Sequence, residues 1–205
     1  MISLDRGEAG CGGVAAQTPV PIRFVKACID DAETLTRVQR RTFDDDAHRS
    51  GQPAGDRRES RTAVQCGAVR RSAGGVGGPP GYDSVDWTLW AIKTGIYFKI
   101  LAGDQIIGGV ILFDMHNRHF NLGRIFVDPD WQNQGIGSQA VCFVERTFRY
   151  IKTWSLDTPE WATRNHHFYE KLGYVKVGEE VPRGLTIRLY LYEKRMPSRP
   201  IEPGP

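Results

Sequence analysis

Three short apolar segments rich in β-branched and aromatic residues crowd into one stretch of the chain, and no other feature constrains the fold as much. They span residues 96–101, 106–113 and 120–127, with Ala102-Gly103-Asp104 between the first two and residues 115–118 before the third. Such links fit hairpin turns but cannot hold a crossover helix, so the three strands must run antiparallel as a meander. Pro129 then ends the ladder, because it has no N–H to give.

The surrounding sequence predicts what covers this sheet. From Gly135 onward Ile136, Ala140, Phe143, Val144, Thr147, Phe148 and Ile151 recur at spacings of three and four, a long amphipathic helix with Gln139, Glu145, Arg146 and Arg149 on its polar face. A strand at 153–156, a helix at 164–171 stopped by Gly173, and strands at 174–177 and 185–192 close the domain. Upstream, a strand at 22–26 precedes a helix capped by Asp30-Asp31 that carries Ala32, Leu35, Val38 and Phe43 on one face. Tyr82-Asp83-Ser84 caps a short helix through Trp87, Leu89, Trp90 and Ile92. The order β, α, α, three antiparallel strands, α, β, α, β, β predicts one α/β (α+β) domain over 20–195, a mixed, mostly antiparallel sheet covered by helices. Residues 1–19 read as a disordered tail, 51–81 as a disordered insertion of Arg, Gly, Ala and Ser, and 196–205 as a loose, proline-rich end.

Composition removes several function classes. The longest apolar run, 106–113, has eight residues, far below the roughly 18 needed to span a bilayer. The start of the chain lacks the basic and apolar blocks of a secretory signal, so the cytosol is the expected compartment, with no membrane partner. Cys11, Cys28, Cys66 and Cys142 show no C-x-x-C spacing and are expected to be reduced. Neither His116/His119 nor His166/His167 has a third ligand at a recognisable spacing, and no metal is expected. A net charge of +3 does not imply nucleic acid. The stretch containing Arg57, Arg58, Arg61, Arg70 and Arg71 has no interleaved aromatics that could stack on bases.

The chemistry lies in the loop Gln132-Asn133-Gln134-Gly135-Ile136-Gly137-Ser138, which joins the meander to the long helix. A helix N-terminus leaves backbone N–H groups unpaired and carries about half a positive charge, so it accepts anionic phosphate. Gly135 and Gly137 let oxygen approach the backbone closely. A dinucleotide fingerprint would require a third glycine where Ala140 stands, inside a parallel unit, and a nucleotide P-loop would require a lysine that is missing. A helix start that merely uses glycines is the bland alternative.

Val127-Asp128-Pro129 followed by Gln132, Gly135 and Gly137, with Phe168-Tyr169-Glu170-Lys171-Leu172-Gly173-Tyr174 downstream, resembles the GNAT superfamily of acetyl-CoA-dependent N-acetyltransferases. The resemblance spans about residues 21–194. It implies a splayed central strand pair, 120–127 against 153–156, that receives the pantetheine arm of acetyl-CoA. Backbone groups of Phe126 and Val127 would bind that arm. Gln132, Asn133, Gln134, Gly135, Ile136, Gly137 and Ser138 would hold the pyrophosphate, with Asn165 and Phe168 completing the cofactor site. Many relatives place an asparagine where this chain has Ala162, and Asn165 lies closer to Phe168. Tyr169 resembles the residue that protonates the departing CoA thiolate, a role its high pKa suits; a packed core tyrosine is the alternative. For the general base, Asp114, Asp157 and an ordered water all remain open.

Acceptor pockets of this family are shaped by the segment joining the first two helices. That selects Asp44, Asp45, Asp46, Tyr82, Asp83, Asp86 and Trp87, carboxylates beside aromatic faces, which suit a cationic or amino-sugar amine such as an aminoglycoside. A solvated helix end would look the same. A protein lysine or N-terminal acetyltransferase is the first alternative, and a non-catalytic CoA-binding interaction protein the second. The expected partners are acetyl-CoA and a small-molecule amine, with no nucleic acid; a homodimer is allowed.

Overall fold

The structure is a computed structural model that describes residues 20–50, 78–182 and 187–197, with side chains excepted at 47–50. The expected tails and most of the expected insertion lie outside the described residues. Strand β1 (Ile22–Lys26) leads through a 3-10 turn into helix α1 (Ala32–Ser50). After the chain resumes come α2 (Val85–Thr94), the meander β2 (Ile96–Ala102), β3 (Gln105–Asp114) and β4 (His119–Val127), then α3 (Ile136–Thr147), β5 (Thr153–Pro159), α4 (Thr163–Lys171), β6 (Val175–Glu180) and β7 (Leu189–Arg195). One seven-stranded sheet runs β1-β2-β3-β4-β5-β7-β6. Every neighbouring pair is antiparallel except β4 with β5. No described helix is long and apolar enough to cross a membrane.

The parallel pair is short. His119, Asn121 and the residue between them face Thr153–Ser155, and pairing then ceases, so 122–127 and 156–159 diverge. A second irregularity sits beside it, where the β3–β4 register shifts between Ile111/Arg124 and Leu112/Leu122 and leaves Gly123 unpaired. A bulged residue reverses the alternation of faces along a strand. Phe120 and Leu122 thus pack with Val110, Leu112, Val141, Val144, Trp154 and Leu156. Phe126 instead lies on the opposite face with Leu35, Val38, Ala91, Tyr97 and Ile111. A Cβ on Gly123 would sit 2.4 Å from the Phe113 ring, so the bulge needs glycine.

Three local expectations are corrected. The α3 periodicity continues past the helix, which ends at Thr147 with Phe148 as its cap; Phe148 and Ile151 still pack on the same core from the following turn. Glu145, expected on the polar face, is buried, and both its oxygens accept from Lys194 of β7 at 2.8 and 2.7 Å. Residues 78–81, expected in the insertion, form an ordered turn in which Gly78 lies against the Tyr82 ring and Gly81 against Trp87.

Asp31 does more than cap. Its carboxylate accepts from the Cys28 N–H at 2.8 Å and from Lys99 Nζ of β2 at 2.7 and 2.8 Å, tying the start of α1 to the sheet. Burial pushes its pKa up, but the Cys28 N–H and Lys99 outweigh that and hold it below the usual carboxylate range. A depressed folded-state pKa gives stability that is present above the unfolded value of about 3.9 and is lost as pH falls through the folded one. Asp31→Asn is therefore expected to destabilise the domain by about 1–3 kcal/mol at pH 7. In chemical denaturation the gap to wild type should close below about pH 4; a gap independent of pH would exclude the ionic account.

Candidate active site

The turn after β4 is built by its carboxylates. Asp128 accepts from the Asp130 N–H at 3.1 Å. Arg41 of α1 donates to both Asp128 oxygens at 3.0 Å and to Asp130 at 2.7 Å, fixing the turn against α1. Asn133 and Gly135 then adopt left-handed backbone, with φ of 61° and 76°. A Cβ on Gly135 would meet nothing within 4 Å, so glycine serves conformation here rather than space. The first intrahelical bond runs from the Gln139 N–H to the Gly135 carbonyl at 3.0 Å. The N–H groups of Ile136, Gly137 and Ser138 therefore have no helical acceptor and point out of the helix end.

These groups open on a cleft of about 290 Å³ where β4 and β5 diverge. Of the expected cofactor residues, Phe126, Val127, Gln132, Asn133, Gly135, Ile136, Gly137, Ser138, Asn165 and Phe168 line it, together with Tyr169. Gln134 does not, its side chain turning back to the Asp130 carbonyl at 3.3 Å. Phe43, expected on the apolar face of α1 and beside the Asp44–Asp46 carboxylates, also lines the cleft, as do Thr42, Ile125, Trp131 and Arg164, which were not singled out from the sequence.

The backbone of β4 corrects one expected role. The Asp128 N–H donates to the Ile107 carbonyl of β3 at 2.7 Å. By antiparallel alternation Phe126 also turns its backbone to β3, while Ile125 and Val127 turn theirs to the gap. A Cβ on Gly108 of β3 would lie 2.4 Å from the Phe126 carbonyl, which agrees. The Val127 carbonyl is already engaged, by Gln132 Nε2 at 3.1 Å and by Thr42 Oγ1 at 3.2 Å. The groups left facing the gap are both backbone groups of Ile125 and the N–H of Val127. Phe126 contributes its ring alone.

Helix α4 closes the other wall. Tyr169 is 8% exposed and packs edge-on against Phe168 and Tyr174. Burial raises its pKa well above that of a free phenol, and the charge of Asp157 raises it further, so it stays protonated across physiological pH. Asp157 stands on β5 beyond the last residue paired with β4, open to solvent on one side. Burial of its carboxyl by the surrounding protein, with the charge of Glu180, pushes it above the usual carboxylate range. Asp114 lies at the other, closed end of the pair and accepts from the His116 N–H at 2.7 Å, a turn contact. Asn165 reaches Thr158 Oγ1 at 3.5 Å.

The residues expected to receive the acceptor do not gather in the cleft. Asp46 alone of them lines it. Tyr82 is buried and donates to Asp44 at 2.7 Å. Trp87 packs under the Arg124 guanidinium, 3.9 Å from the ring centroid. Asp83 and Asp86 flank Ser84, the residue that caps α2 through the Trp87 N–H. Tyr82 and Trp87 are thus walls of a packed layer between α1 and α2 rather than open aromatic faces, while Phe43 packs edge-on against Tyr82 and still reaches the cleft.

Gly137 has a steric role as well as a backbone one, since a Cβ there would lie 3.3 Å from the Phe168 ring. Gly137→Val is expected to displace that ring, leave the far-ultraviolet dichroism unchanged, and weaken acetyl-CoA binding by at least about tenfold. Calorimetric titration checks it, and unchanged affinity would remove the loop from the cofactor site.

Comparison with known proteins bears on the fold. Residues 93–176 match the family model described as an acetyltransferase (GNAT) domain. An uncharacterized protein of Bacillus subtilis, YrkN, is 29% identical over 80 residues; the match covers 38% of this chain and 43% of that protein, less than half its length. Among solved structures, the PaiA N-acetyltransferase of Thermoplasma acidophilum in complex with coenzyme A is similar with a TM-score of 0.63 at 18% identity, over 86% of this chain and 99% of that one. An acetyltransferase of Thermus thermophilus has a TM-score of 0.63 at 14% identity, over 87% and 99%. The ribosomal-protein-S18-alanine N-acetyltransferase of Escherichia coli has a TM-score of 0.57 at 12% identity, over 90% and 99%. These structures share the fold described above, and residues 93–176 are similar to the GNAT acetyltransferase domain.

Proposed function

We propose that this chain transfers the acetyl group of acetyl-CoA to a primary amine, and that the acceptor is a small cationic or amino-sugar amine such as an aminoglycoside. One observation carries the reading: unpaired helix N–H groups, an unpaired stretch of strand backbone and a buried tyrosine converge on a single cleft. When bound, acetyl-CoA supplies an acyl group activated as a thioester. The N–H groups of Ile136, Gly137 and Ser138 suit its pyrophosphate. Ile125 and the Val127 N–H suit the amides of its arm, as an added strand would. The T. acidophilum neighbour crystallised with coenzyme A supports the same cofactor.

Within this reading Tyr169 Oη gives its proton to the departing thiolate, and Asp157 takes the proton that the acceptor ammonium must lose. Asp157 is favoured over Asp114 because it stands in the diverging part of β5, near Tyr169. Its raised pKa makes it a stronger base than an ordinary carboxylate. Asp46 at the cleft and the Asp157/Glu180 pair supply the negative charge that draws a cation. The E. coli neighbour, whose name records an alanine of ribosomal protein S18 as its target, makes a peptide amine the second class to test.

Thiol release from acetyl-CoA, followed with kanamycin, spermine, an alanine-initiated peptide and a lysine peptide, separates these classes. Turnover with the peptides alone would overturn the small-molecule acceptor, and absence of both turnover and acetyl-CoA binding would overturn the transferase. Tyr169→Phe should keep acetyl-CoA affinity and lower kcat by about one to four powers of ten. Asp157→Asn should remove the acid limb of the kcat/KM profile, which in wild type rises through the raised carboxyl pKa. Tyr169→Phe turnover within a few-fold of wild type, without a burst of CoA release, would return that residue to the core.

A further inference from the structure

A ligand with a pyrophosphate brings at least two negative charges to the glycine loop, and the loop has no side chain to meet them. Between Val127 and Gln139 its ionisable residues are Asp128 and Asp130, both acidic and both paired with Arg41, whose single charge offsets only one of them. The helix end contributes about half a charge. Among the described residues that line the cleft, Arg164 is the single cation.

Arg164 belongs to the first turn of α4 but reaches across to the loop. Its Nη1 donates to Gln132 Oε1 at 3.2 Å and its Nη2 to Asn133 Oδ1 at 3.0 Å. Nη1 also lies 3.8 Å from Asp46 Oδ1, at the end of α1. Two neutral amide oxygens and one long ion pair leave guanidinium N–H donors for a further acceptor. The side chain is 56% exposed, so turning it toward an anion disturbs no packed core. Gln132 has a second bond, to the Val127 carbonyl, so the arginine is held over the loop by a side chain that is itself fixed to β4.

We infer that Arg164 is the counter-cation of the cofactor pyrophosphate, supplied by α4 because the glycine loop lacks a basic residue, and that Asp46 competes with the phosphates for it. This rests on the cleft being an acetyl-CoA site. A guanidinium matches two phosphate oxygens at once, whereas the contact to Asp46 is single and long. The cofactor therefore takes Arg164 from Asp46 as it binds, and the end of α1 is released from α4 at the mouth of the cleft.

Calorimetric titration of the full chain with acetyl-CoA, dephospho-CoA and pantetheine tests this. Arg164→Gln should bind acetyl-CoA and dephospho-CoA about 5- to 30-fold more weakly, leave pantetheine affinity unchanged, and show a shallower salt dependence than wild type. Arg164→Lys should recover part of the loss. Asp46→Asn should bind acetyl-CoA about 2- to 5-fold more tightly. If wild type does not bind acetyl-CoA, the cofactor reading itself fails. If wild type binds and Arg164→Gln binds within twofold of it, that reading stands and the inference is overturned. A loss confined to acetyl-CoA, sparing dephospho-CoA, would move Arg164 to the 3′-phosphate and overturn the pyrophosphate assignment. Weaker binding by Asp46→Asn would overturn the competition.

Discussion

The parallel pairing of β4 with β5 lasts for three residue pairs, and everything functional in this domain depends on where it stops. Two strands of a sheet normally stay paired because each unpaired backbone group inside a protein costs about as much as a lost hydrogen bond. Here the strands part immediately before the bulge at Gly123. A bulge bends and over-twists its strand, and the bend carries Ile125 and Val127 away from β5. The divergence makes the cleft and leaves room for Tyr169 to enter from α4. A straight, fully paired β4 would have made a more regular sheet with no place for a ligand.

Keeping such an opening from collapsing falls to α1. Arg41 fixes the turn after β4, and Thr42 next to it reaches the Val127 carbonyl. On the α1-facing side of the same strand Arg124 is buried with no carboxylate partner among the described residues. Its Nη1 donates to Gln39 of α1 at 2.6 Å, its Nη2 to the Pro80 carbonyl at 3.0 Å, and its plane covers Trp87. Burial lowers its pKa to about 10, so it remains charged at neutral pH despite the desolvation. Gln39 continues the chain to Thr88 of α2 at 3.2 Å, and Thr36 joins at 2.8 Å. One strand is thereby tied to both helices by a polar network that orders the layer beside the cleft.

Much of this was legible in the sequence because its signals were local. The meander, the order of elements, the Ser84 cap and the cleft residues Phe126, Val127, Gln132, Asn133 and Gly135 to Ser138 follow from periodicity, turn chemistry and two motifs. What escaped reading was set by partners far away in the chain. Glu145 falls on the polar side of its helix by spacing, and nothing near it announces Lys194. Phe126 takes a backbone role from the family resemblance, which carries no record of the register that pairs its backbone with β3. Asp44, Tyr82 and Trp87 read as an open acceptor face, whereas the structure spends them on one another and on Arg124. Arg164 looks like an ordinary exposed arginine until α4 is docked against the loop.

The gap between β4 and β5 also inverts a familiar gradient of protection. Central strands of a sheet are usually the slowest to exchange their amide hydrogens, because they open only when the domain does. In this sheet the amides of Ile125 and Val127 sit on the middle strand yet have no strand beside them. Without a ligand they form a window of rapid solvent exchange inside the most rigid part of the molecule. That window is a built-in reporter of occupancy, and it needs no knowledge of what else the cleft receives.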